Sequence, residues 1–191
     1  MIPLKLFHFI LSGFVICALC FAGCTSGNGF GTPALKGDGF QDRTTAAVDD
    51  AFSLQDALNA FNETLVVTRP GSSAEVFIIQ GENLTMDGSA SRWIIGYTEG
   101  TTHAFFAYDS TGQSIIPWRA WLPGNAIPVE RMLMPEDILS RHSAEIAALQ
   151  DPVTGRIETL ELRGTIYIIS TQTGGRIKNV RIDALNGEIV P

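Results

Sequence analysis

Beyond residue 24 the chain has no cysteine: Cys17, Cys20 and Cys24 are the only three in 191 residues. The globular part therefore has neither a disulfide framework nor a thiolate metal site. Histidine is scarce too, with only His103 and His142 after that point, far apart in sequence. There is no GxSxG, HExxH, CxxC, Walker loop or GxGxxG, so none of the usual nucleophile, zinc or phosphate signatures is present. Runs of Lys or Arg are also missing, and 13 basic side chains stand against 20 acidic ones, a net charge of −7. Such a chain is a poor partner for a polyanion, which sets nucleic acid aside. No metal and no cofactor is expected.

What is present begins with the N-terminus. Lys5 is the one Lys or Arg in a segment that is nearly all apolar from residue 9 to 22 and closes on Phe21-Ala22-Gly23-Cys24. A short basic region, an apolar stretch and small residues are the layout of a secretory signal. The last four residues resemble the lipobox of bacterial and archaeal lipoproteins: an apolar residue, two small ones, then Cys. The resemblance implies that the Cys24 thiol takes a diacylglycerol and that cleavage leaves Cys24 as the first residue, with 12 basic and 20 acidic side chains behind it. At ~0.8 kcal/mol per buried acyl CH₂, two chains make a firm anchor. The alternatives are an uncleaved span over residues 4–22 and an ordinary cleaved signal in which Cys24 is incidental. The reading is thus a signal peptide over residues 1–23 and a tether over residues 24–50. The tether is rich in Gly, Thr and Asp and has no apolar periodicity.

The remainder reads as two similar units, the first with a Trp-containing connector over 51–128 and the second over 129–191, giving an α+β fold in which each unit packs a helix on a small antiparallel sheet. Leu54, Leu58, Phe61 and Leu65 recur at helical spacing over residues 53–65, with Ser53 and Asp56 set as a capping box. Ile138, Leu139, Ile146 and Leu149 do the same over residues 135–149, where Pro135 suits the first helical position. Each helix precedes a single strand, 74–81 or 156–164, and then a hairpin. The hairpins RWIIGYTEGTTHAFFAYD and IYIISTQTGGRIKNVRID superpose without a gap, Ile94 and Ile95 on Ile168 and Ile169, and Asp109 on Asp183. Each Asp opens a turn in which its carboxylate accepts backbone N–H groups two residues on, while a Gly supplies positive φ. A short strand follows each turn.

Residues 175–190, GRIKNVRIDALNGEIV, resemble the closing strand pair of a PepSY domain. That family places a helix before an antiparallel sheet and joins the last strands by Asp-x-x-x-Gly-x-apolar, here Asp183, Gly187 and Ile189. Asp109, Gly112 and Ile115 are a shortened version. The resemblance implies tandem units in an exported, tethered protein that binds, inhibits or regulates peptidases and is not an enzyme.

Between the units, IIPWRAWLPGNAIP (115–128) holds Trp118, Arg119 and Trp121 among three prolines. Either the indoles fill the seam between the units, or they form an exposed patch, with Arg119, that binds a partner. Asn83-Leu84-Thr85 matches the glycosylation acceptor pattern, which makes Asn83 a candidate. His103 reads as a surface residue facing Gly100 across a hairpin tip. The expected function is that of an extracytoplasmic, membrane-anchored, non-catalytic binding module with a protein partner. The alternatives are an exported hydrolase using Asp137, His142 and Glu145 between the units, and a small-ligand-binding envelope protein.

Overall fold

A computed structural model describes residues 50–68, 71, 73–173 and 175–191. Cys24, the expected signal peptide and the expected tether up to residue 49 lie outside the described residues.

The first helix, α1 (Leu54–Thr68), starts as its sequence dictates. The Asp56 N–H donates to Ser53 Oγ at 3.1 Å and the Ser53 N–H to Asp56 Oδ2 at 3.3 Å, a reciprocal cap for two donors the helix cannot satisfy itself. Leu54, Ala57, Leu58, Phe61 and Leu65 form its buried stripe. The helix runs three residues past Leu65, where Val66 and Val67 are exposed. There the Thr64 and Thr68 hydroxyls bond back to the carbonyls of Ala60 and Thr64.

Seven antiparallel strands follow: β1 (Glu75–Leu84), β2 (Arg92–Glu99), β3 (Thr102–Asp109), β4 (Gly112–Trp118), β5 (Ile157–Arg163), β6 (Ile166–Thr173) and β7 (Arg176–Asp183). They form one sheet in the order β4-β3-β2-β1-β5-β6-β7. The two small sheets read from the sequence are therefore continuous. β1 and β5 pair from Ile78↔Arg163 to Leu84↔Ile157 and carry hydrogen bonding across the middle. Because the first strands of the two groups, β1 and β5, pair with each other, neither group leaves an open edge at the centre.

One face of the sheet is covered. Ile79, Trp93, Ile95, Phe106, Leu160, Leu162, Tyr167, Ile169 and Ile182 are fully buried there, with the apolar stripe of α1 and with Ile138, Leu139 and Ile146. Phe61 meets Tyr97 edge-on at 4.9 Å and Phe106 at 5.5 Å. Each such side chain contributes about 1.5–3 kcal/mol relative to exposure. On the opposite face Ile78, Ile94, Phe105 and Ile168 are only half-buried.

The second helical segment breaks where the sequence reads as continuous. α2 (Pro135–Arg141) ends and α3 (Ser143–Ala147) begins around His142, whose backbone leaves helical geometry at φ −113°, ψ 33°. The cause is visible at the C-terminal turn. His142 Nε2 donates to the Gly187 carbonyl at 2.7 Å, and Arg141 Nη1 to the Asn186 carbonyl at 2.7 Å. Gly187, at φ 75°, lies in the left-handed region that favours glycine, and its edge packs against the Arg141 guanidinium.

The hairpins keep the register read from the sequence. Arg92↔Asp109 to Glu99↔Thr102 in one matches Ile166↔Asp183 to Thr173↔Arg176 in the other. Both Asp turns form: Asp109 Oδ1 accepts from the Thr111 N–H at 2.8 Å, and Asp183 Oδ1 from the Leu185 N–H at 2.7 Å. The closing strands differ. β4 is seven residues long, whereas after β7 only the bridge Ile182↔Ile189 forms.

Candidate interaction surface

Strand β4 is exposed along its whole length and forms one edge of the sheet. It carries Pro117 in continuous register with β3, between Phe105↔Ile116 and His103↔Trp118. A proline has no N–H, so the ladder passes through Pro117 only if its nitrogen points away from β3, toward solvent. Alternation then turns the main-chain groups of Gln113 and Ile115 outward as well. The opposite edge is partly closed, because Val190 N–H donates to the Arg181 carbonyl and Asp183 N–H to the Glu188 carbonyl, both at 2.8 Å.

Trp118 lies edge-on to Phe105, centroids 5.3 Å apart, and is 46% exposed. From Arg119, itself exposed, the chain leaves the sheet edge. Trp121 lies tilted against His103, ring centroids 5.6 Å apart, and is 83% exposed, while Leu122 is buried. The chain then reaches β1, where the Ile127 N–H donates to the Val76 carbonyl at 2.7 Å. The two indoles therefore do not fill a seam: β1 and β5 occupy the middle of the sheet, and both tryptophans stand at the β3–β4 end. His103 pairs with Thr98 rather than Gly100, and its Nδ1 lies 2.9 Å from Thr98 Oγ1. Glu75, Phe77, Thr98, His103, Trp121 and Leu122 line a shallow recess of about 500 Å³ beside the hairpin tip.

The hydrolase residues are not brought together. His142 Nε2 is taken by the Gly187 carbonyl, Asp137 and Glu145 are exposed, and among the described residues no hydrogen bond or ion pair joins the three. Nor, among the described residues, do three His, Cys, Asp or Glu side chains group to hold a metal ion. Asn83 lies in β1 rather than in a loop. It is exposed, at φ 54°, with Nδ2 donating to Ser91 Oγ at 3.2 Å. Beyond it strand alternation breaks, and Leu84 and its partner Ile157 are both fully buried. Among the described residues no helix is long and apolar enough to cross a membrane.

The shifted titrating groups are structural. Hydrogen bonds from the Thr85 hydroxyl and the Ser89 N–H hold the Asp87 carboxyl below its ordinary value. The Thr154 and Val153 N–H groups do the same for Asp151. Burial, then the charges of Glu136 and Asp137, push the Tyr167 phenol well above its usual range.

The edge residues Ser114, Ile115 and Ile116 escape a reading that looks for chemistry. Their signal is Pro117, because a proline inside a strand-like run belongs at a sheet edge.

No family model matches the chain, and no curated protein matches it. A crystal structure of a candidate lipoprotein from Clostridium difficile 630 is similar, with a TM-score of 0.51 and 11% sequence identity over 75% of this chain and 93% of that one. At this identity the likeness is one of fold: an α+β chain built on one antiparallel sheet.

Proposed function

We propose that this protein is an exported, lipid-anchored, non-catalytic binding protein that regulates a peptidase or another envelope protein. The observation that carries the reading is the exposure of Trp118 and Trp121 beside an open strand edge that also exposes Ile115 and Ile116. Large apolar side chains clustered on a surface, next to the polar Arg119, mark a place where another macromolecule docks. The lipobox-like sequence ending in Cys24 and the fold shared with a candidate lipoprotein both support anchoring at the extracytoplasmic face of a membrane.

We also infer that the chain is a tandem of PepSY-like units whose sheets have merged. Equal hairpin registers, matching Asp turns and the same order of helix, strand and hairpin support that reading. The proposed docking surface then belongs to the first unit and the connector.

The test is recovery of partners from the producing organism's membranes by the parent chain and by the Trp118→Ala and Trp121→Ala variants. The expected outcome is a specific partner that both variants lose. Identical recovery by all three removes the aromatic surface from the account.

A further inference from the structure

We propose that the open edge of β4 pairs with the same strand of a second copy, making a two-fold dimer with one sheet running through both molecules. The proposal goes beyond the binding reading: a second copy takes the main-chain edge of β4 up to Pro117, and Trp118 and Trp121, past that stop, are left for the separate partner.

The argument starts with the edge itself. With the Pro117 nitrogen facing outward, the free donors of β4 are the N–H groups of Gln113 and Ile115, and the carbonyls of the same residues are the free acceptors beside them. The Pro117 ring then projects where an added strand would continue its ladder, and stops pairing there. An antiparallel partner that ends at this stop is centred on Ser114. In that register Gln113 of each copy exchanges both main-chain bonds with Ile115 of the other. Four bonds form and no donor or acceptor of the two residues is left over. A two-fold axis generates this match from one sequence, as an isologous interface requires.

Side chains agree with the register. Ile116, 45% exposed, falls opposite the other copy's Gly112, which offers no side chain to obstruct it. Ile115, 41% exposed, is covered by the aliphatic part of the other copy's Gln113. Charge agrees as well. Residues 110–118 contain no ionisable side chain, so two acidic molecules meet along a neutral line. At the other edge β7 carries Arg176, Lys178 and Arg181 and is partly closed by residues 188–190, so self-pairing there opposes like charges.

Ser114 supplies the test. On the axis it is a non-hydrogen-bonded pair, with Cα atoms ~4.5 Å apart, inside the disulfide range of about 4.4–6.8 Å. The full-length chain carrying Ser114→Cys is oxidised in membranes beside the parent chain and a Lys178→Cys chain. The expected result is a band of twice the monomer mass for Ser114→Cys alone, with the tryptic peptide containing position 114 linked to itself. Adding Ile115→Pro removes two of the four bonds while leaving the β3 ladder, and abolishes that band. A thermal melt of the same double variant verifies its fold, and the comparison with Lys178→Cys stands without it. Absence of the band from Ser114→Cys, equal bands at both edges, or a band that survives Ile115→Pro in a folded chain overturns the proposal.

Discussion

Trp93 and Tyr167 stand at the same place in their hairpins, and each ties its strand to the carbonyl two residues ahead of a helix. Trp93 Nε1–H donates to the Phe52 carbonyl at 2.7 Å, before α1, and the Tyr167 hydroxyl donates to the Leu133 carbonyl at 2.8 Å, before α2. Both side chains are fully buried. Each sets where the chain enters its helix, and so how that helix lies on the sheet. Tyr167→Phe keeps the ring and strands the carbonyl, and the expected loss is about 1–3 kcal/mol. Trp93→Phe also deletes buried area, and the expected loss rises to about 2–4 kcal/mol. Urea unfolding of the two variants measures both.

Tyr167 also makes stability depend on alkaline pH. Its folded pKa is raised, so the folded state keeps a proton that the unfolded chain releases near the ordinary value of 10.0. The associated stability is complete below that value and is lost as pH rises above it. Unfolding free energy measured from pH 8 upward is expected to fall beyond about pH 10, and Tyr167→Phe is expected to flatten that fall. At the acid end Asp87 acts in the opposite sense. Its lowered pKa gives stability that is present above the ordinary 3.8 and is lost as pH falls through the folded value.

Gly96 sits on the open face of the sheet, yet the position is buried. An added Cβ would lie 2.3 Å from Ile78 Cγ2 and 2.9 Å from the Phe105 ring. Gly96→Ala is expected to cost about 1–3 kcal/mol, with displacement of Phe105 and of the Trp118 indole against it. Gly81→Ala meets the Trp93 ring at 2.7 Å and is expected to fall in the same range. Thermal unfolding with tryptophan fluorescence reports both effects.

Trp121→Ala is expected to change stability by no more than about 0.5 kcal/mol, because the indole is 83% exposed. Trp118→Ala, which gives up an edge-on contact with Phe105, is expected to cost about 0.5–1.5 kcal/mol. Had the indoles filled a seam, each would cost 3 kcal/mol or more, on the order of other buried Trp→Ala changes. Denaturant midpoints separate the two cases, and they certify the variants used for partner recovery as folded.

Much of the fold was legible because its signals are local. The Ser53–Asp56 cap, the stripe of Leu54, Leu58, Phe61 and Leu65, and the Asp109 and Asp183 turns depend on residues a few positions apart. The merging of two sheets through β1 and β5 was not legible, since it depends on which edges find each other across ~80 residues of chain. The contact that His142 makes is hidden from the sequence for a related reason. Its partner, the Gly187 carbonyl, is 45 residues away and belongs to a turn that carries no sequence mark of that contact. Trp118 and Trp121 were placed on the chain but not in space, because composition does not distinguish a buried indole from an exposed one.

Attachment to a membrane through Cys24 is the point on which the functional account turns, and mass spectrometry of the native protein's N-terminal peptide tests it most directly. The account predicts a first residue Cys24 bearing diacylglycerol, with residues 1–23 gone. A peptide beginning at Met1, with an unmodified thiol at Cys24, would contradict it.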